Sequence, residues 1–193
     1  GREAVSAPRA LRADEMAGVV TAFGHGARCA MEAGFDGVEV HGANGYLIEQ
    51  FLRDSINDRA DDYGGPIEHR VRLLVEVMRA VVAECGGGRA GLRLSPVTPA
   101  NDAAQDSDPQ ALYEFAVSQL APLKLAFLEV VEGATGAARD FAPFDYAALR
   151  RRFAGAWMVN NGYQRQSAID AVASGAADLV SFGWPFIGNP DLV

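Results

Sequence analysis

Apolar residues recur along the chain in two spacings that alternate. Between residues 14 and 34 they fall three or four positions apart, which predicts an amphipathic helix that stops at Gly34. Residues 37–40 form a short β-branched run, typical of a strand, that leads into His41-Gly42. A second helical stripe covers residues 71–82 and ends at the glycines 86–88. The chain therefore begins with a helix-strand-helix pattern.

The same alternation continues to the end of the sequence. It predicts strands at residues 91–94, 125–131, 156–159 and 178–182, and helices at residues 108–120, 145–153 and 166–173. Helices between consecutive strands are typical of parallel βαβ units, so the predicted fold class is α/β. The inventory is five strands and five helices, with a helix first and none after the last strand. By number it fits an open doubly wound sheet, because a closed eight-unit barrel usually needs about 250 residues.

The residues that follow the predicted strands favour a barrel instead. Each strand runs into glycine or polar residues, namely His41-Gly42, Ser95-Pro96, Glu132-Gly133, Asn160-Asn161-Gly162 and Gly183. In parallel α/β folds the ligand binds at the carboxyl ends of the strands. The pattern therefore predicts a ligand site along that edge of the sheet.

The amino-acid composition argues against several classes of protein and of partner. With 49% apolar and 22% charged residues, the chain is expected to fold rather than remain disordered. The apolar run 125–131 is too short to span a bilayer and contains Glu129, and the net charge of −8 argues against a nucleic acid or an anionic membrane as partner. Cys29 and Cys85 predict no disulfide framework, and the three histidines have no metal-ligand spacing. We find no secretory leader and therefore expect a cytoplasmic protein.

The residues that carry chemistry cluster after the first strand. His41, Asn44 and Tyr46 bring an imidazole, a carboxamide and a phenol together within six residues. His41 and Asn44 can both donate hydrogen bonds to one oxyanion, and Tyr46 can supply a proton as a neutral acid. The alternative is a capped strand-to-helix turn with a buried tyrosine.

Three ordered blocks of this sequence resemble one known family, the old yellow enzymes, which are FMN-dependent ene-reductases with a (β/α)8 TIM-barrel fold. The first block is residues 35–52 with 57–59 and 62–70, and the others are residues 91–96 and 182–193. The resemblance implies that residues 1–193 form a single partial TIM-barrel domain of about five βα units, without the first strands and the last helix. Five strands cannot close an eight-stranded barrel. The chain is therefore expected to be part of a longer polypeptide, to need a second chain, or to pair as a homo-oligomer.

The resemblance also implies the chemistry. FMN would be the cofactor, NAD(P)H the reductant and an α,β-unsaturated carbonyl compound the substrate. His41 and Asn44 would hold the substrate carbonyl oxygen over the flavin. The reduced flavin would pass hydride to the β-carbon, and Tyr46 would protonate the α-carbon.

Arg93 has both a structural and a functional interpretation. Strand periodicity puts it on the same face as Gly91, and an arginine that points inward needs an anionic partner. One possibility is a structural ion pair with an inward carboxylate such as Glu39 or Glu129. The resemblance implies another, in which Arg93 lies beside flavin N1 and O2. The two interpretations are compatible.

The phosphate end departs from the family pattern. Barrels of this kind bind phosphate through backbone amides of the loops after strands seven and eight, which assigns Asn161, Gly162, Gly183 and Trp184 to flavin binding. The family has glycine where Asn161 stands and arginine where Trp184 stands. Each charged hydrogen bond lost is worth about 1.5–3 kcal/mol, so FMN binding is expected to be weakened.

Two other functional classes follow from this departure. A flavin-free relative that kept His41, Asn44 and Tyr46 can act as an isomerase or cyclase, because two donors and an acid bind an enone without redox chemistry. A non-catalytic chain can instead serve as the partner subunit of a split barrel. Trp184 and Asn161 favour the first of these alternatives.

Overall fold

The computed structural model describes residues 6–101, 103–135, 143–189 and 191. Residues 190, 192 and 193 of the third family block therefore lie outside the described part. Within it, five parallel strands form one sheet in the order β1-β2-β3-β4-β5. The strands are β1 Val38–Gly42, β2 Ala90–Leu94, β3 Phe127–Val131, β4 Ala156–Asn160 and β5 Leu179–Val180. A doubly wound sheet reverses its strand order at a switch point, whereas this order advances in one direction, as in a barrel.

The described ranges contain eight α-helices and three single turns of 3-10 helix. The helices are α1 Met16–Glu32, α2 Leu47–Leu52, α3 Ile67–Arg70, α4 Arg72–Cys85, α5 Pro109–Leu120, α6 Tyr146–Arg151, α7 Arg165–Ala173 and α8 Trp184–Gly188. The five predicted helices are confirmed as α1, α4, α5, α6 and α7. The sequence does not predict α2, α3 and α8, whose four to six residues are not recognised as a periodic stripe, although the equally short α6 is predicted within residues 145–153. The expectation that no helix follows the last strand is wrong, since α8 does.

The outer face of the sheet forms the hydrophobic core. Side chains alternate across each strand, so Val40, Leu92, Leu128 and Val159 all point to the side covered by helices. These four side chains are at most 4% exposed. They pack with the apolar stripes of α4 and α5 in one continuous cluster. Burial of this face fixes the strand register, because a slip of one residue would turn the apolar side chains outward.

The inner face is more polar and more open. Its first row across the sheet is Glu39, Gly91, Phe127 and Ala156, and its second is His41, Arg93, Glu129 and Met158. Gly91 is required by close packing: a Cβ at this position would lie 2.1 Å from Cζ of the Phe127 ring. Glu39 and His41 each keep part of their surface accessible on the edge strand β1. The strand ends above these rows carry the candidate site.

In the described part of the chain, no helix is both long and apolar enough to cross a membrane. Over the same residues, no group of three or more His, Cys, Asp and Glu side chains is arranged to hold a metal ion. Cys29 and Cys85 are both free thiols.

Candidate functional site

The candidate site begins at the turn between β1 and α2. We call residues 43–46 the donor loop. Asn44 (φ 56°) and Gly45 (φ 74°) are both left-handed, and this pair of conformations folds the chain tightly back over the end of β1. Tyr46 follows in extended conformation as the N-cap residue of α2. Because the turn is so short, it keeps His41, Asn44 and Tyr46 at one end of the same strand.

Two of the three predicted side chains, those of His41 and Tyr46, lie close together and are exposed. The His41 and Tyr46 rings lie 5.4 Å apart between centroids, tilted by 57°. The alternative of a capped turn predicts a buried tyrosine, whereas Tyr46 is 56% exposed. Asn44 Oδ1 is buried and has no hydrogen-bond partner within the described residues. Such an unsatisfied buried acceptor is rare in folded proteins and marks Asn44 as a candidate for contact with a bound group.

The electrostatics of the site keep His41 neutral. Partial burial lowers the pKa of its imidazole, and the positive charge of the neighbouring Arg93 lowers it further. His41 and Arg93 are direct register partners on β1 and β2. A neutral imidazole retains one N–H donor and one acceptor nitrogen, so His41 can donate a hydrogen bond to an oxygen at neutral pH.

Arg93 forms the predicted ion pair, and its partner is Glu129. Arg93 Nη1 lies 3.2 Å from Glu129 Oε1, and Nη2 donates to Asn160 Oδ1 at 3.0 Å. Arg93 Nε is buried without a partner among the described residues. Glu39 does not pair with Arg93: burial and the hydrogen bond and charge of Glu129 raise its pKa to about 8. Glu39 is therefore mostly protonated at neutral pH, and one carboxylate balances the guanidinium.

The residues predicted at the phosphate end occupy the loops after β4 and β5. Asn161 has φ 99°, and its Nδ2 donates to the backbone oxygens of Glu132, at 2.5 Å, and Ala134, at 2.9 Å. Its side chain thus joins the end of β3 to the end of β4. The following Gly162 is also left-handed, with φ 66°. Asn160 links these loops to β5, because its Nδ2 donates to Ser181 Oγ at 2.8 Å.

Gly183 and Trp184 lie farther out on this rim. Gly183 is the N-cap residue of α8 and Trp184 is its first residue. Trp184 is 91% exposed. It is therefore not a packing residue of the described core, and its indole offers no positive charge to a phosphate.

The sequence did not identify two residues that hold the donor loop. The buried carboxylate of Glu49 accepts a hydrogen bond from the backbone of Gly45, and Ser95 accepts one from the backbone of Asn44. Nothing in the sequence marks Glu49 as buried, because no helix is predicted there, and the only signal for Ser95 is its place directly after the predicted strand 91–94.

Comparison with known proteins places the chain in a family. The chain matches the model of the NADH:flavin oxidoreductase / NADH oxidase family over residues 2–193. It is 46% identical over 97% of its length to 12-oxophytodienoate reductase 1 of Oryza sativa subsp. japonica, and covers 50% of that protein. It is 47% identical over 96% of its length to a probable flavin mononucleotide-dependent alkene reductase of Leishmania infantum, of which it also covers 50%.

The fold of this chain closely resembles those of solved structures. The old yellow enzyme homologue from Zymomonas mobilis superposes with a TM-score of 0.92 and 42% identity, over 100% of this chain and 54% of that chain. Morphinone reductase in complex with tetrahydroNAD gives a TM-score of 0.90 and 38% identity, over 100% of this chain and 51% of that chain. The five-stranded sheet is thus part of a TIM barrel, as expected. The chain spans about half the length of the relatives that it matches.

Proposed function

The chain belongs to the NADH:flavin oxidoreductase / NADH oxidase family, and from this premise we propose that it carries the substrate-polarising and proton-donating side of an FMN-dependent reductase of activated C=C bonds. The observation that supports this proposal is the exposed pair of His41 and Tyr46, which lies beside Arg93 and at the same strand end as Asn44. The substrate class is an α,β-unsaturated carbonyl compound, and NAD(P)H is the reductant.

His41 and Asn44 are proposed to bind the carbonyl oxygen of the substrate. Two neutral donors that meet one oxygen stabilise the negative charge that develops on it as the β-carbon is attacked. The lowered pKa of His41 suits this role, because a neutral imidazole donates a hydrogen bond without transferring its proton. A loop fixed by backbone hydrogen bonds also spares the cost of reorganising the donors during the reaction.

Tyr46 is proposed to deliver the proton that completes the reduction. Its ring is largely exposed on the rim, next to His41, so its hydroxyl is accessible to a substrate held by the neighbouring donors. A phenol is a weak acid that remains protonated at neutral pH, and it can donate to the carbanionic α-carbon once the β-carbon has been reduced.

The residues beside these donors fit the polar edge of a flavin ring. Arg93 is cationic, and its buried Nε lacks a partner in the described part of the chain. Arg93 would hold FMN at the electron-rich edge of the ring, and Gly162, Gly183 and Trp184 would contribute backbone amides to the phosphate. When bound, FMN supplies the hydride that it receives from NAD(P)H.

The phosphate end fits less well, and FMN binding is proposed to be weak. The side-chain NH2 group of Asn161 already donates to two backbone oxygens, and Trp184 carries no charge. Trp184→Arg should add a charged hydrogen bond and lower the Kd for FMN by about 10–100-fold. The measurement is quenching of flavin fluorescence, with Trp184→Gln as the uncharged control. A Kd that does not change in Trp184→Arg would refute a phosphate subsite at this residue.

A second polypeptide segment with the remaining strands is proposed to complete the barrel. The described sheet has two open edges, at β1 and β5, and an apolar groove of about 880 Å³ lies beside β5 between Ile169, Phe182 and Phe186. Two copies of a five-stranded sheet would bring ten strands, two more than the family barrel holds. A segment from the same polypeptide or a different chain therefore suits the open sheet better than self-pairing does.

A flavin-free isomerase or cyclase is the alternative that a specific observation favours. The exposed, uncharged Trp184 removes the cation expected at the phosphate, while the three donors of the rim are retained. The visible spectrum distinguishes the two functions. The protein is purified alone or with a polypeptide that supplies the remaining strands. A flavin absorption band that bleaches anaerobically with NADPH supports the reductase. A colourless protein that converts an enone supports the alternative.

The role of Tyr46 is tested separately. In the flavin-loaded protein, Tyr46→Phe should slow flavin reoxidation by an enone by about 10²–10⁴-fold, because the general acid is lost. Flavin reduction by NADPH should stay within about twofold of the wild-type rate, because this step uses no proton from Tyr46. Stopped-flow absorbance resolves the two half-reactions. Equal losses in both would contradict a proton-donor role.

A further inference from the structure

The two left-handed residues of the donor loop have all four of their backbone polar groups bound by side chains. The amide of Gly45 donates to Glu49 Oε2 at 2.5 Å, and the amide of Asn44 donates to Ser95 Oγ at 2.7 Å. Their two carbonyl oxygens accept hydrogen bonds from Asn101 Nδ2 at 2.9 Å and Gln50 Nε2 at 2.7 Å. Side chains from the loop after β2 and from α2 thus fix one short turn.

Glu49 is the centre of this arrangement. It is 0% exposed, and besides Gly45 it accepts hydrogen bonds on Oε1 from Ser95 Oγ (2.5 Å), Arg53 Nη2 (2.9 Å) and Tyr113 OH (3.0 Å). A buried carboxylate is tolerated only when its charge is paired and its oxygens are hydrogen-bonded. The Ser95 hydroxyl accepts a hydrogen bond from the Asn44 amide and donates one to Glu49. Both backbone amides of the turn therefore depend on the one carboxylate.

The geometry of the turn needs such support. Asn44 has a Cβ and is nevertheless left-handed, a conformation that persists only where the surroundings enforce it. The fit is also tight at Gly45, where a Cβ would lie 2.4 Å from the backbone oxygen of Ala100. If the anchors were lost, the turn could relax to less strained dihedral angles and carry Asn44 and Tyr46 away from His41.

We propose that Glu49 is a positioning residue, which acts with Ser95 to hold the donors of the rim in their reactive arrangement. Neither residue needs to touch substrate. This inference rests on the proposed function for its catalytic consequence, but the hold on the loop is a property of the chain itself. It can therefore be tested without a cofactor.

The first test is amide hydrogen exchange, measured by NMR on the isotope-labelled chain. In Glu49→Gln the one remaining side-chain oxygen can keep the three donors on the Oε1 side only if the NH2 group turns toward the Gly45 amide, so Gly45 exchange should accelerate roughly tenfold or more relative to Leu92 in β2. Tyr113→Phe is the matched control, because it removes one hydrogen bond from the same carboxylate and leaves Gly45 untouched. Its Gly45 exchange should change only as much as that of Leu92.

Ser95→Ala keeps the test decisive if Glu49→Gln does not fold. This variant removes the acceptor of the Asn44 amide while the charged pair of Glu49 and Arg53 remains, and it should accelerate Asn44 exchange selectively. Uniform acceleration in Glu49→Gln, Ser95→Ala and Tyr113→Phe would overturn the proposal, because Glu49 would then stabilise the fold without holding the loop.

The second test is kinetic and uses the flavin-loaded protein. A displacement of the donors should lower the rate of flavin reoxidation by cyclohexenone by about 10²-fold in Glu49→Gln, with flavin reduction by NADPH unchanged. Tyr113→Phe should retain both rates. If the wild-type protein neither binds nor reduces cyclohexenone, the proposed function fails, whereas the exchange pattern alone decides whether Glu49 positions the loop.

Discussion

The donor loop after β1 and the loop after β5 lie on the same rim of the sheet, but they are held in opposite ways. The donor loop is anchored by the fully buried side chains of Glu49 and Arg53 and by Ser95. The loop after β5 follows a strand of only two residues, and the helix that it enters begins with Trp184, which is 91% exposed. The first part of the rim is fixed by a fully buried network, whereas in the second the tertiary hydrogen bonds of Ser181, to Glu129 and Asn160, are followed by the exposed start of α8.

This difference indicates which part of the chemistry is built into the chain. Groups that polarise a carbonyl must be fixed before the reaction, and a buried network of charged and polar side chains provides such rigidity. A rim that receives a phosphate can be ordered by the ligand or by the rest of the barrel. Substitutions of Arg53, Gly45, Glu39 and Trp184 test this contrast in turn.

The largest effect is expected from the loss of Arg53. Its guanidinium donates to Glu49 and to the backbone oxygens of Ser95 and Thr98, all within the protein interior. Arg53→Met would leave the charge of Glu49 buried without its partner, so the free energy of unfolding should fall by about 3–5 kcal/mol. Urea-induced unfolding followed by circular dichroism measures this change.

The matched control is the exposed pair of Arg72 and Glu76. These residues are also four positions apart, with Arg72 Nε 2.8 Å from Glu76 Oε1, but their side chains are 43% and 29% exposed. Arg72→Met should cost less than about 1 kcal/mol. If the two arginine variants lost similar amounts of stability, the buried network would not be the main anchor of the donor loop.

The second prediction compares a left-handed glycine on each part of the rim. Gly45→Ala and Gly162→Ala both place a Cβ on a left-handed residue, which costs about 1–2 kcal/mol. At Gly45 the Cβ would also collide with the backbone oxygen of Ala100, while at Gly162 no heavy atom of the described residues, apart from the chain neighbours, lies within 4 Å. Gly45→Ala should therefore be the more destabilising by about 1–3 kcal/mol in urea unfolding. Equal losses would mean that the donor loop adapts as easily as the loop after β4.

The third prediction concerns pH and the proton on Glu39, in the row below the donors. Its pKa is raised from 4.5 to about 8, so the folded chain keeps a proton between these values that the unfolded chain has lost. The free energy of unfolding should therefore fall as the pH rises from 4.5 to 8, and level off above that range. Glu39→Gln should remove this contribution and flatten the profile.

Urea midpoints at pH 5 and pH 8 test the role of Glu39. Glu32→Gln makes the same substitution at an exposed site on α1 and is the control that should retain the wild-type slope. A Glu39→Gln profile parallel to that of the wild type would assign the pH dependence to other groups.

Much of the fold could be predicted from local patterns. The stripes of α1, α4 and α5 are long enough to be read, and Asp108 followed by Pro109 marks a helix start that the structure confirms, with Asp108 Oδ1 accepting from the amide of Ala111. The predicted strand 178–182 contracts to β5 Leu179–Val180. In the described sheet β5 is an edge strand with a partner on one side only, so local propensity alone overstates its length.

The candidate site was predictable only where chemistry and sequence position coincide. His41, Asn44 and Tyr46 stand out because they follow a strand directly. That Glu129 and not Glu39 pairs with Arg93 depends on the register of β2 and β3, which local sequence does not encode. The contact between Glu49 and Ser95 joins residues 46 positions apart, so it exists only once the strands are paired.

The smallest effect is expected at Trp184, and it completes the contrast along the rim. Because its indole is 91% exposed, Trp184→Ala removes little buried area and should change the free energy of unfolding by less than about 0.5 kcal/mol. The other tryptophan, Trp157 on the outer face of β4, is 2% exposed, and Trp157→Ala should cost about 3–5 kcal/mol. A loss above about 1 kcal/mol in Trp184→Ala would show that α8 is anchored through this ring. The loop after β5 would then be held by the chain itself, as the donor loop is.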